Sequence, residues 1–174
     1  ISSDTKIISK ILEIQLFPIF LHFAEKTGYD IVLAEHQNWY PDLSFVKKSN
    51  PNIKFAIDIK TTYRLDEYKD FCNGFTLGSH GEYFRNRNSS KNIQFPYKEY
   101  AAHITLGILY TRTIKADIDE TRVFDLSSLT SIPSVISDLL FFIEEKWKIS
   151  SARRGSGNTA NIGSIDYLPD MLAG

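Results

Sequence analysis

The sequence predicts an α/β (mixed α+β) fold, and three observations carry that prediction. Apolar residues recur with helical spacing over the first 26 residues. Residues 43–60 alternate with period two on either side of a turn, and a second helical pattern covers residues 133–148. With 174 residues, 43% of them hydrophobic, the chain is long enough for one globular domain over 1–174 with a real core.

The elements follow in order. Ser3-Asp4-Thr5 supplies side chains to cap a helix running to about Lys26, with Ile7, Ile8, Ile11, Leu12, Ile19, Phe20 and Phe23 on its apolar face. Pro18 is expected to kink this helix and Gly28 to end it. Leu43-Ser44-Phe45-Val46 reads as a strand, Lys47 to Asn52 as a turn, and Ile53 to Lys60 as the returning strand. With Asn50 at the midpoint, Leu43 faces Ile57 and Phe45 faces Phe55, so the apolar faces match. Residues 64–73 are polar, and residues 75–92, rich in Gly, Asn, Ser and Arg, are expected as loop with short strand pieces. Pro96 is expected to start a short helix through Ala102, leading to a strand from about Ile104 to Arg112 and another over Arg122–Leu126. Pro133 to Lys148 reads as the clearest helix, with Ile136, Leu139, Leu140, Ile143 and Trp147 on one face. Arg153 onward reads as glycine-rich loop.

The hairpin register has a chemical consequence. It sets Asp42 opposite Asp58, while Asp58 and Lys60, two apart on one strand, leave the same face and Ile57 and Ile59 turn to the core. Pro41-Asp42…Asp58-Ile59-Lys60 thus brings two carboxylates and an ammonium to one spot. Mg²⁺ takes hard oxygen ligands, often one or two carboxylates with water and phosphate oxygens. A lysine beside a scissile phosphate can stabilise its charge or help deprotonate the attacking water. The plain alternative is a loop-opening Pro-Asp and an Asp/Lys pair on a solvated strand face.

Composition narrows the function classes. A formal charge of −1 argues against a strongly basic, indiscriminate nucleic-acid binder, though not against a specific one. One cysteine, Cys72, excludes an intramolecular disulfide and fits a reducing cytoplasm; it lies in a polar, turn-rich stretch with no histidine partner. No apolar run is expected to reach membrane-spanning length, no signal peptide is apparent, and the first residue is Ile, so a native N-terminus is expected to be missing. His22, His36, His80 and His103 have no metal-ligand spacing and read as packing or surface residues. The aromatic residues, Trp39 included, read as core.

Other polar positions have two readings each. Glu13 is solvent-facing on an amphipathic helix, or a charge needing a partner beside Leu12 and Ile14. Arg153 to Thr159 is a flexible linker by composition, or a loop whose glycines admit a close ligand and whose Asn158 suits adenine. Gln37 and Asn38 have ordinary turn chemistry. Lys91, with Arg85 and Arg87, is a surface cluster or a phosphate-contacting patch.

Larger segments decide between these readings. Gln37-Asn38-Trp39-Tyr40-Pro41-Asp42 and Phe55 to Tyr63 resemble the core of the EcoRV-like type II restriction endonucleases, in the P-D-(D/E)-x-K nuclease superfamily. The likeness extends upstream to Ser3-Asp4-Thr5-Lys6 and Ala24 to Tyr29. Downstream it takes in Phe75 to Gly78, Arg85-Asn86, Lys91-Asn92-Ile93, Tyr110-Thr111-Arg112, Gly155 to Thr159 and Asn161 to Ile165, in the family's order.

The resemblance implies a restriction-endonuclease-like fold: a central mixed β-sheet with a catalytic β-hairpin, flanked by helices. It implies Mg²⁺-dependent hydrolysis of double-stranded DNA, one or two ions per site with Mn²⁺ as a substitute. Asp42 and Asp58 bind metal, Lys60 assists the attacking water or transition state, and Glu13 supports the cluster, on this reading. Gly155, Ser156, Gly157, Asn158 and Thr159 then form the recognition loop, with Ala160 where the family has a second threonine. Gln37 and Asn38 form a minor-groove loop, and Thr61, Thr62 and Lys91 touch backbone phosphate. A homodimer would cut a short palindrome, GATATC or similar, to blunt ends bearing 5′-phosphates, with a flexible central TA step easing a bend.

The departures are as specific. The segment before the family's first helix and its C-terminal portion are expected to be absent, and Arg64 to Asn73 does not match. Three alternatives stand beside the main reading: a resolvase or repair endonuclease with the same chemistry, a DNA-binding module inactive through truncation, and an unrelated α/β domain.

Overall fold

The computed structural model describes residues 4–65, 67–78, 80–113, 121, 123–155 and 161–173. A five-stranded mixed sheet organises them. Helix α1 (Thr5–Thr27) leads into strands β1 (Tyr29–Leu33), β2 (Leu43–Lys47) and β3 (Lys54–Tyr63). After a short helix α2 (His80–Arg85) come β4 (Tyr100–Arg112) and β5 (Ile136–Glu145). A small second sheet of β6 (Ser150–Arg154) and β7 (Ile162–Ser164) precedes α3 (Leu168–Ala173). The large sheet runs β1-β2-β3-β4-β5, antiparallel except for the β3–β4 pair.

The ends of α1 obey local chemistry. The Asp4 carboxylate accepts from the Lys6 and Ile7 backbone N–H groups, at 2.8 and 3.3 Å, satisfying donors the first turn leaves open. Gly28 closes the helix at φ 76°, a left-handed conformation that costs glycine little. The helix runs on past Pro18. Its apolar surface is only partly covered: Ile8 and Ala24 are buried, whereas Ile7, Ile11, Ile19 and Phe23 stay about half exposed. Its length and apolar composition also correct the sequence expectation, because α1 is long and apolar enough to cross a membrane; buried core helices and N-terminal signal sequences meet the same measure.

The β2–β3 hairpin has the expected register, Leu43 opposite Ile57 and Phe45 opposite Phe55. Its turn is tied by Asn50 N–H to Lys47 O (3.1 Å) and Ile53 N–H to Asn50 O (3.0 Å). Leu43, Phe45, Ile57 and Ile59 share a core cluster with Ala24 and Ile108, so the apolar strand face packs toward α1 as its pattern demands.

Several sequence expectations are corrected. Residues 136–145 are strand, and Trp147 is mostly exposed beyond it, because antiparallel pairing with β4 satisfies their backbone groups. The short helix after Pro96 shrinks to a 3₁₀ turn over Tyr97–Glu99, and β4 begins at Tyr100. Residues 123–125 form no strand, Arg122 lies outside the described residues, and a 3₁₀ turn covers Leu126–Ser131. Beyond Arg153 the chain forms β7 and α3 as well as loop, and Cys72 is buried at 2% exposure beside Phe75 and Leu77. Strand β1 and helix α2 were not anticipated from the sequence.

Candidate active site

Asp42, Asp58 and Lys60 line one polar cavity of about 520 Å³, on the side of β3 facing away from the apolar core. Two anchors put Asp42 there. The loop before it is tied down by Tyr40 N–H to Asn92 O (2.9 Å) and Gln94 N–H to Tyr40 O (2.8 Å), next to a cis Tyr40-Pro41 bond. Its Oδ2 then accepts from the Ile59 backbone N–H at 2.6 Å, which joins the end of the loop to β3. Asp58 and Lys60 come from the strand itself, and the Lys60 ammonium donates to Asp58 Oδ1 at 2.8 Å.

Lys146 is the residue that sequence reasoning missed. It follows β5, is 1% exposed, and brings its ammonium 2.7 Å from Asp58 Oδ2. That is the distance of a charge-assisted pair, so the Lys146 ammonium is the partner of the buried Oδ2. The same ammonium lies 4.2 Å from the Tyr40 ring centre, a cation–π contact. Tyr40 in turn bonds through its hydroxyl to His103 Nδ1 at 2.9 Å, and His103 Nε2 lies 3.1 Å from Tyr97 O. A carbonyl can only accept, so Nε2 carries the proton and Nδ1 accepts from Tyr40. This assigns His103 to packing and positioning, as the sequence suggested, stacked 3.7 Å from the Tyr97 ring.

The electrostatics follow from this enclosure. Burial alone would raise the Asp58 carboxyl, but the ammonium groups of Lys146 and Lys60 overcome it and hold Asp58 well below the usual carboxylate range. Burial lowers Lys146 to about 8, only partly offset by Asp58. For Lys60 burial is outweighed by Asp58 and then Asp42, which raise it. Enclosure by the protein, then the like charge of Asp58, push Asp42 up to about 6. Asp42 keeps an exposed surface on the cavity, so the charge of Asp58 is the firmer of these causes.

The other candidate residues divide. Gln37, Asn38 and Lys91 line the same cavity as the two aspartates. Glu13, Thr61 and Thr62 line an adjoining cavity of about 330 Å³, with Lys60 on the wall of both. Glu13 pairs there with Lys10, and the Thr61 hydroxyl meets Ser9. Among the described residues no three acidic, histidine or cysteine side chains form a metal-sized cluster, so Glu13 does not join Asp42 and Asp58. Gly155 lines neither of these two cavities; its N–H donates to Asn161 O at 2.9 Å. A β-carbon there would lie 2.7 Å from Ile162 O, which explains the need for glycine. Ser156, Gly157, Asn158 and Thr159 lie outside the described residues.

A divalent cation suits the Asp42/Asp58 pair. One ion with two carboxylates leaves positions for water and phosphate oxygens, and the donor set suits it: Asp42 is exposed on the cavity and Asp58 is held ionised by Lys146 and Lys60. Comparison with known proteins supplies the context. The profile of the family described as restriction endonuclease EcoRV matches residues 1–174. The type II restriction enzyme EcoRV of Escherichia coli is 41% identical over 175 residues, a match covering 100% of this chain and 69% of that enzyme. A polar cleft with paired carboxylates therefore sits in a chain whose whole length carries one family's pattern. The chain belongs to the EcoRV family of type II restriction endonucleases, DNA-cleaving hydrolases of restriction systems.

Proposed function

We propose that this chain hydrolyses both strands of duplex DNA at a short palindrome, GATATC or a close relative, in a Mg²⁺-dependent reaction. The observation carrying the proposal is the meeting of Asp42, Asp58 and Lys60 in one cavity of an EcoRV-family chain. Asp42 and Asp58 would hold the ion. When bound, a divalent ion supplies neutralising charge at the phosphate and acidifies water. Lys60, on the wall of the cavity at 24% side-chain exposure, turns from Asp58 toward the scissile phosphate to stabilise its added charge or steady the attacking water. Water adds to phosphorus, the bond to the 3′ oxygen breaks, and the 5′ fragment end keeps the phosphate.

Glu13 acts through charge on Asp42 and Lys60 from the adjoining cavity and supports the site from there. Gln37, Asn38 and Lys91 meet DNA at the rim, Thr61 and Thr62 contact backbone phosphate, and the loop from Gly155 through Ser156, Gly157, Asn158 and Thr159 reads base edges. Two copies act as a homodimer in the cytoplasm, one active site per strand, each copy a single domain over 1–174. Mn²⁺ replaces Mg²⁺.

Digestion of a plasmid with mapped GATATC sites, with Mg²⁺ or with EDTA, tests this beside Asp58→Ala. Discrete Mg²⁺-dependent fragments at those sites are expected from the wild type. The variant should be slower by about 10²-fold or more, the scale of losing one electrostatic stabiliser of reacting charge. Fragments at other sites would remove GATATC as the target. Equal cutting in EDTA would remove the metal requirement.

A further inference from the structure

We infer that Lys146 is a built-in counter-ion that keeps divalent-metal binding weak until DNA is present. This rests on the reading that Asp42 and Asp58 hold the ion. Both oxygens of Asp58 already face an ammonium, Oδ1 at 2.8 Å from Lys60 and Oδ2 at 2.7 Å from Lys146. Two carboxylates and two ammoniums leave the centre of the site formally neutral before any ion arrives.

The two lysines differ in their freedom to leave. Lys60 keeps 24% of its side chain exposed on the cavity and can swing into it. Lys146, at 1%, has nowhere to go. Its ammonium sits against the Tyr40 ring, its N–H donates to His103 O at 2.8 Å, and its carbonyl accepts from Ser150 Oγ at 2.7 Å. An arriving cation therefore shares Asp58 with a fixed positive charge, in a buried setting where like charges repel strongly. A DNA phosphate brings negative charge into the same cavity and restores the balance. Lys146 is thus a positioning residue for Asp58 that also ties metal retention to substrate.

Mn²⁺ binding to the DNA-free protein, read from the spin-resonance signal of free Mn²⁺, tests this. Lys146→Met removes the charge and leaves Asp58 its partner Lys60. It is expected to bind Mn²⁺ about tenfold tighter than wild type, or more. A gain in affinity is something a merely structural lysine would not give on removal. Lys146→Gln, which keeps a donor for Oδ2, is expected to shift in the same direction and serves if the methionine variant does not fold, as judged by thermal unfolding without metal. Binding equal to or weaker than wild type in the folded variants would overturn the inference. Asp58→Ala separates this from the underlying reading. If it removes Mn²⁺ binding while Lys146→Met fails to tighten it, only the role of Lys146 falls. If binding survives Asp58→Ala unchanged, the metal-site reading falls too, and this inference with it.

Discussion

Replacing Asp58 by alanine would leave Lys146 buried without the carboxylate that offsets its charge. Breaking one side of a buried pair costs about 3–5 kcal/mol, because the remaining charge stays desolvated. Urea unfolding of Asp58→Ala without metal should show a loss on that scale, and Asp58→Ala with Lys146→Met should recover most of it. An unchanged midpoint in the single variant would mean that Lys146 reaches water. A second residue-level consequence concerns His103, which burial lowers from 6.5 to about 4. The folded chain resists its protonation more than the unfolded chain does. The stability this contributes is therefore complete above about 6.5 and is lost as pH falls from there through about 4. His103→Gln should flatten that acid-side loss in unfolding curves taken between pH 7 and pH 4; an identical slope would locate the loss elsewhere.

At the level of elements, the β4–β5 pair is the join on which the site depends, since Lys146 follows directly from β5. Gly107 on β4 pairs with Phe142 on β5, and a β-carbon on Gly107 would come within 2.1 Å of the Phe142 ring. The ring occupies the space that a side chain would need. Phe142 also packs on the core cluster of Phe75, Leu77 and Leu109, so it cannot yield freely. Gly107→Ala should destabilise the chain by about 1–3 kcal/mol through overpacking, measurable by thermal unfolding. Phe142→Leu placed on that background should return part of the loss; no return would point to backbone displacement.

For the whole molecule, the chemistry and the apolar surface lie on opposite sides of β3. Asp58 and Lys60 face the polar cavity, while Phe45, Ile57, Ile104 and Phe23 line an apolar cavity of about 500 Å³ between α1 and the sheet. Period-two alternation along β3 accounts for both faces. If two copies act together with one site per strand, mixing wild-type and Asp58→Ala chains has a definite outcome. Mixed dimers should nick supercoiled plasmid, so open circles accumulate, whereas wild-type dimers pass to linear product. Simple dilution of the linear product, with no rise in open circles, would argue against one strand per copy.

The residues themselves determined the hairpin, because matched apolar faces leave a single register, and a one-residue slip would turn Ile57 and Ile59 away from the core. They also determined both ends of α1 through Asp4 and Gly28, whose effects act within one turn. Residues 136–147 were not legible in that way. Their apolar side chains recur at positions 136, 139, 140, 143 and 147, a helical spacing, and Leu139 to Ile143 is apolar throughout, with no alternation to mark a strand. Only β4, with its backbone groups waiting along one edge, made them β5. Lys146 was hidden by the same misreading, since in Glu144-Glu145-Lys146-Trp147-Lys148 it looks like one surface charge among several. Sequence spacing brought Asp42, Asp58 and Lys60 together because one hairpin carries all three. The fourth charge arrives from the turn after β5, nearly 90 residues away along the chain, and only the sheet decides that it lies against Asp58.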